Sequence, residues 1–155
     1  MLDAADINRL LNDSVPFNRV LGAQVESVAP ERVTATLPEA PERLNHVATT
    51  HAVAQFGLGE VTSGSMTLCA FADLQRQGYA PVVTEAAVTY LKPARGAMRG
   101  EATFSAQEQA RVRDEIAAGG RPRFSIAVRL FDAQETLTTE LRFEWTLLPP
   151  RSARA

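Results

Sequence analysis

Residues 49–77 read TTHAVAQFGLGEVTSGSMTLCAFADLQRQ, and the way this stretch folds decides the rest of the chain. No proline interrupts it, small and apolar residues dominate, and Gly78 follows where a helix-closing glycine would stand. The reading is one long helix that begins at Thr49 or Thr50 and ends near Gln77. Gly57, Gly59 and Gly64 argue against it, since each costs about 1 kcal/mol relative to alanine in a helix interior. So many glycines call for a packing reason, such as the close approach of another backbone or of a ligand.

On either side of the helix the pattern changes. Upstream, Ile7, Leu10 and Leu11 share helical spacing within residues 3–12, and Pro16 lies just beyond as a stop. Residues 24–28 and 32–37 then read as a hairpin across Ala29-Pro30-Glu31, with Val33, Ala35 and Leu37 alternating with threonines. Downstream the period becomes two: Val82, Thr84, Ala86, Val88 and Tyr90 share one face and Val83, Glu85, Ala87, Thr89 and Leu91 the other. Apolar residues on both faces predict a nearly buried strand. A turn at residues 92–96 leads to a strand over 99–106, followed by a charged helical insertion at about 107–120 with Val112 and Ile116 as its thin apolar stripe. Two alternating strands, one through Phe124 to Leu130 and one through Leu137 to Leu147, end the fold, and the tail after Pro150 is expected to fray. A mostly antiparallel sheet wrapped around one apolar helix buries both elements in two layers. The class is α+β and the outline is that of the hotdog fold, a single domain whose core runs from about residue 15 to 148.

Composition narrows the function. The 155 residues, 45% of them apolar, suit one domain with one core. Sixteen basic residues against 18 acidic ones give no basic excess for nucleic acid and no acidic tail. The acidic start, Met1-Leu2-Asp3-Ala4-Ala5-Asp6, lacks the features of an export signal. The lone Cys69 cannot make an internal disulfide, which fits a reducing cytoplasm, and no apolar run is long enough for a membrane span. With two histidines and no paired ligand spacing, no metal is expected. Small molecules and partner proteins remain.

The chemistry gathers in residues 44–60, on a loop that enters the long helix. N–H groups at a helix start lack intrahelical acceptors, and the dipole adds partial positive charge, as an oxyanion hole requires. Glu60 sits about two and a half turns further on among small and apolar residues, where an ionised carboxylate needs water, a partner or a proton. It is the best general base or nucleophile in the chain. Nine residues separate His51 from Glu60, about 13 Å of rise and roughly half a turn, so one helix cannot bring them together. If both serve one reaction, the second must come from another subunit across a two-fold axis, with the glycines permitting close helix approach.

The spacing of Asn45, His51 and Glu60 resembles the active-site signature of the PaaI-like acyl-CoA thioesterases of the hotdog superfamily, and Val88-Thr89-Tyr90-Leu91-Lys92-Pro93-Ala94 is similar to the strand that follows the helix in that family. Ala52-Val53 replaces the family's paired glycines; alanine keeps its amide, while the added side chains are expected to narrow the room for a thioester carbonyl. The insertion and the ending Phe143-Glu144-Trp145 look closer to a hotdog branch of unknown function. The resemblance implies that the Ala52 amide polarises the carbonyl, that Glu60 activates water or attacks directly, and that Asn45 positions substrate or water. It implies that His51 shapes the helix start, that Thr84 orients the acid or the water, and that Lys92, Arg95 and Arg99 meet the phosphates of coenzyme A. Coenzyme A enters as part of the substrate, no separate cofactor is implied, and the expected assembly is a homodimer or a dimer of dimers.

Each residue also has a plainer reading. His51 is equally a helix-start histidine satisfied by solvent or backbone, and Gln55, one turn later, is a candidate substrate ligand or a polar spacer. Thr49 or Thr50 can serve only as a cap, and Lys92 and Arg95 as solvated turn residues. The rival function is a non-catalytic acyl-CoA binding or sensing module, favoured by Ala52-Val53 as Glu60 favours the enzyme. A hotdog dehydratase expects an Asp and His pair about five residues apart on one element, which this chain lacks.

Overall fold

The computed structural model describes residues 2–150. Helix α1 (Ala4–Ser14) opens with a capping box in which Asp3 and Asp6 each accept the other's backbone N–H, and its buried side is anchored by Ile7. Pro16 does more than stop it. The proline occupies the first turn of a second helix, α2 (Pro16–Leu21), where its missing N–H has no cost, and Gly22 closes that helix at φ 76°. The same residue therefore stops one helix and starts the next.

Strands β1 (Gln24–Ala29) and β2 (Arg32–Leu37) form the expected hairpin. The helix follows with two corrections. It begins at Ala52 with His51 as its cap, because Thr49 and Thr50 are buried in the preceding loop. It also breaks at Phe71 (φ −126°, ψ 29°), giving α3 (Ala52–Ala70) and α4 (Ala72–Arg76). Phe71 is fully buried against the rings of Phe104 and Phe124, at centroid distances of 6.0 and 5.3 Å, and this packing holds its backbone out of helix. Gly78 closes the pair at φ 93°.

Strands β3 (Ala80–Tyr90), β4 (Met98–Thr103), β5 (Arg123–Phe131) and β6 (Leu137–Leu148) complete a six-stranded sheet of order β1-β2-β4-β5-β6-β3, antiparallel at every pairing. Helix α3 lies across the sheet, and Leu58, Val61 and Met66 meet the alternating inward residues of the strands, among them Val33, Ile126 and Phe143. This is the α+β hotdog arrangement. The insertion is helix α5 (Ala106–Ala117), with Val112 buried and Ile116 half-buried. Arg113 binds both carboxylate oxygens of Asp73 at 2.7 and 2.9 Å and the Ala70 carbonyl at 2.6 Å, so the insertion is clamped to the helix break. Residues 151–155, which include the tail expected to fray, lie outside the described ones.

Strand β3 differs from its expectation. It is an edge strand with β6 as its one neighbour, and none of its eleven residues is buried. An apolar residue on both faces signals burial only where something covers both faces, and this chain covers neither fully. The glycines too have a different explanation. A methyl group at Gly59 would come within 2.8 Å of Leu141, and one at Gly57 within 3.0 Å of Leu21; at Gly64 it would touch Trp145 at 3.4 Å. Gly57 and Gly59 therefore admit α3's own sheet and α2, and they give no argument for a second subunit.

Candidate active site

The loop before α3 is held by its own side chains. Asn45 Oδ1 accepts the N–H groups of Val47 and Thr49, each at 3.1 Å, and Asn45 Nδ2 donates to Thr49 Oγ1 at 2.9 Å. Ala48 sits at φ 56° inside this turn. Thr50 N–H donates to the Ala94 carbonyl and His51 N–H to the Arg43 carbonyl, at 2.9 and 2.7 Å. These bonds fix the direction in which the helix starts.

At that start, His51 Nδ1 accepts the Val53 amide at 3.1 Å, so the imidazole is the helix cap. The amide of Ala52, which precedes it, donates to no acceptor among the described residues. Gln55 is buried; its amide donates to the Thr50 carbonyl at 2.8 Å, and its oxygen accepts from Thr139. Tyr90 Oη donates to the Ala52 carbonyl at 3.1 Å, tying the end of β3 to the first turn of α3. A cavity of about 520 Å³ opens here, lined by Asn45, Ala52, Gln55, Tyr90, Lys92 and Arg95 among others. It combines a free helix-start N–H with two cations, a setting suited to a developing oxyanion and to phosphate groups.

Glu60 is elsewhere. It lines a second cavity, also of about 520 Å³ and open on one side, bordered by residues of α1, α2, α3, α4 and β3 and by Trp145. The walls are mainly apolar, with Leu10, Leu11, Val15 and Leu68 contributing. Glu60 is half-buried, no arginine or lysine bridges to it among the described residues, and burial pushes its pKa up from the ordinary carboxylate value. Such a carboxylate holds its proton more tightly than an exposed one, which suits a group that must take a proton from water and return it.

The chain thus brings Asn45, Ala52, Gln55, Lys92 and Arg95 to one cavity and leaves Glu60 in another. Thr84 lines neither: it lies exposed at the bulge of β3, donating to the Glu144 carbonyl and accepting from Arg123, each at 3.2 Å. Arg99 also lines neither; it pairs with Glu101 and Glu135 and stacks 4.6 Å over the Phe131 ring. Val53 corrects an expectation. Its side chain is 65% exposed and faces a third hollow with His51, Phe17 and Val20, so it does not narrow the space at the Ala52 amide. Asn18, Gln75, Tyr90 and Trp145 line these two cavities without a motif in the sequence that marks them. Tyr90 was in view as a strand residue, and Trp145 as one of an alternating core row. Among the described residues no cluster of three or more metal-ligating side chains occurs, and no helix is long and apolar enough to cross a membrane.

Residues 4–147 match the model of the domain of unknown function DUF4442. The chain belongs to that family. No curated protein sequence matches this DUF4442 chain. Among solved structures it resembles a Pseudomonas aeruginosa protein of unknown function described as a probable thioesterase, with 25% identity and a TM-score of 0.81 over 94% of this chain and 95% of that one. It also resembles a Haemophilus influenzae thioesterase at 16% identity and TM-score 0.76, over 100% and 96% of the two chains. The Escherichia coli PaaI protein, from the phenylacetic acid degradation operon, matches at 14% identity and TM-score 0.72, over 95% and 94%. The DUF4442 chain is therefore a hotdog protein whose structural neighbours include several described as thioesterases.

Proposed function

We propose that this protein is an acyl-CoA thioesterase that hydrolyses a small or medium acyl thioester at a site shared between two subunits. The observation that carries the reading is the separation of two complementary half-sites on α3: a free Ala52 amide beside two cations, and a half-buried Glu60 with no cation of its own. Each lacks what the other has. A two-fold axis that sets the start of one α3 against the middle of another would supply both twice.

In the proposed reaction Glu60 takes a proton from a water molecule as its oxygen bonds to the thioester carbonyl carbon. The carbonyl oxygen becomes an oxyanion and accepts the Ala52 N–H. The C–S bond then breaks, the coenzyme A sulfur takes the proton held by Glu60, and a carboxylic acid and a free thiol leave. Lys92 and Arg95 receive phosphate oxygens, whereas Arg99 is engaged by Glu101 and Glu135 and is omitted from that role. Asn45 supports the loop and has one amide hydrogen left to donate. The exposed β3 edge, with Val83, Tyr90 and Leu91 uncovered, is the surface on which a second copy would pair.

A further parallel supports the pair of residues. A Staphylococcus aureus protein of this fold, described as a thioesterase, was prepared as glutamine-to-alanine and glutamate-to-alanine variants at positions fifteen apart. Asn45 and Glu60 are also fifteen apart. The deciding experiment measures free thiol release from short, medium and aromatic acyl-CoAs. Glu60→Gln should lower turnover by roughly 10²-fold or more while acyl-CoA binding persists. Binding with no turnover in either protein would leave the non-catalytic binding module as the function.

A further inference from the structure

The Ala52 amide belongs to a stretch of backbone that is held from several sides. The Thr50 carbonyl accepts the Gln55 side-chain amide at 2.8 Å, and the His51 carbonyl, in the peptide that carries the Ala52 N–H, accepts the Gln55 backbone N–H at 3.1 Å. The next peptide is gripped at both ends: its N–H, that of Val53, goes to His51 Nδ1, and its carbonyl, that of Ala52, accepts Tyr90 Oη, each at 3.1 Å. Two of the holds lead to the sheet. Thr139 of β6 donates to Gln55 Oε1, and Tyr90 of β3 donates to Ala52. These two residues are cross-strand partners, so their side chains leave one face of the sheet together and meet the first turn of α3.

The two holds differ in setting. Thr139 is fully buried, whereas Tyr90 is 45% exposed at the last position of an edge strand and lines the cavity at the Ala52 amide. The backbone beneath Tyr90 is pinned, since the N–H groups of Leu91 and Lys92 both donate to the Thr138 carbonyl, at 2.8 and 3.2 Å. A tyrosine has only two side-chain torsions to order, so on a pinned backbone it acts as a strut. A carbonyl in the first turn of a helix already has the N–H four residues on as its partner, and the phenol is not needed to complete the helix. What it adds is a connection to the sheet. Burial pushes the phenol pKa up, which keeps it a donor at neutral pH.

We infer that Tyr90 is a positioning residue for the reaction: it ties the first residue of α3 to the sheet and thereby sets the direction of the Ala52 N–H toward the carbonyl of a bound thioester. The inference rests on the thioesterase reading for its chemistry, and it adds a residue outside the Asn45, His51 and Glu60 pattern. An oxyanion donor acts only where it already points at the place the oxygen will occupy, and a misplacement of about 1 Å can cost about 10²-fold. The effect of the phenol is therefore expected in kcat and not in the affinity for the acyl group.

The test is a double-mutant cycle read as thiol release from hexanoyl-CoA. It combines Tyr90→Phe, which keeps the ring, with Ala52→Pro, which removes the N–H at a helix position that proline favours. Tyr90→Phe should lower kcat by roughly 10-fold with KM held within about two-fold, and the loss should disappear when residue 52 is already proline. A merely structural or substrate-binding role would raise KM, or would lower kcat by the same factor in both backgrounds. Either result overturns the inference, as does an unchanged kcat. A second measurement needs no turnover. The carbonyl stretch of isotope-labelled hexanoyl-CoA bound to Glu60→Gln should lie below that of the free thioester; Tyr90→Phe should return it part of the way and Ala52→Pro the whole way. If the wild type hydrolyses nothing while the stretch follows this order, the hydrolase reading fails and the placement by Tyr90 stands. Turnover with a kcat that ignores Tyr90 does the reverse, and absence of both turnover and shift removes both.

Discussion

The cavity at the start of α3 and the cavity at its middle have the same volume, about 520 Å³, and opposite wiring. At the start nearly every polar group is engaged: Asn45 holds Val47 and Thr49, Gln55 holds Thr50 and Thr139, and His51 caps Val53. Among the backbone groups of the described residues the Ala52 amide is left over, beside the unpaired Lys92 and Arg95. At the middle the relation inverts, with Glu60 uncompensated and the donors of Gln75 and Trp145 unpaired. The difference teaches that the first region is built to hold a few groups still, and the second leaves one carboxylate without a cation in a mainly apolar cavity. A pre-organised donor lowers the barrier only if its position is fixed beforehand, whereas a base must keep its proton affinity free of a neighbouring cation.

The strongest way to break this comparison is to disable each region separately and mix the products. Ala52→Pro removes the free N–H, and proline is favoured at the first position of a helix; His51, at φ −58° and ψ 140°, already has the backbone that precedes a proline. Loss of an oxyanion donor should cost about 10²- to 10³-fold in kcat, with the helical circular dichroism retained. Mixed with Glu60→Gln under proven subunit exchange, the pair should recover about one quarter of wild-type activity. Half of the dimers are then mixed, and each holds one complete site of two. Exchange without recovery would put Ala52 and Glu60 in one subunit's site, or one of them outside the reaction.

That test depends on residues the sequence made legible: a proline-free apolar stretch, Gly78 at its end, and the spacing of Asn45, His51 and Glu60. What stayed hidden has a common cause. The alternation over residues 82–91 reports two apolar faces and cannot say whether this chain or a second one covers them. A glycine reports a missing side chain and not the neighbour that uses the space. Asn18 gave no signal, because membership of a cavity is decided by how α2 docks, and α2 itself was hidden behind a proline read as a stop. Spacing along one element was recoverable; contacts between elements were not.

The glycines give a smaller effect. Gly59→Ala would press a methyl group against Leu141 and Phe143, at 2.8 and 3.3 Å, and the core should answer with a loss of about 1–3 kcal/mol in stability. Thermal unfolding measures that loss, and sedimentation should find the oligomeric state unchanged. Dissociation of the variant at intact stability would restore these glycines to a subunit interface.

The proton affinity of Glu60 sharpens the same contrast. Because burial raises its pKa in the folded chain, the folded protein binds this proton more tightly than the unfolded one. The associated stability is full below the ordinary glutamate range of about pH 4 and declines as pH rises through the folded value. Glutamine cannot ionise, so Glu60→Gln should unfold a few degrees above the wild type at pH 7, and the gap should close towards pH 4. A gap that is absent at neutral pH, or that widens on acidification, would mean that the carboxylate is solvated or paired in the assembled protein.

The smallest effect is expected at Val53, where the sequence had suggested the largest steric burden. The isopropyl group is 65% exposed and borders Phe17 and Val20, while the N–H beside it is held by His51 Nδ1. Removing the side chain therefore leaves the cavity of the Ala52 amide unchanged. Val53→Gly loosens the first helical turn and should lower stability by up to about 1 kcal/mol. Its kcat/KM for a good thioester should stay within about two-fold of the wild type, since the group removed lies off the route to the oxyanion donor. A several-fold rise would show that Val53 crowds the carbonyl in the assembled enzyme, on a face that a partner chain brings to it. A several-fold fall at retained stability would assign the exposed side chain to the substrate. Either outcome would join the third hollow to the site, and constancy keeps it separate.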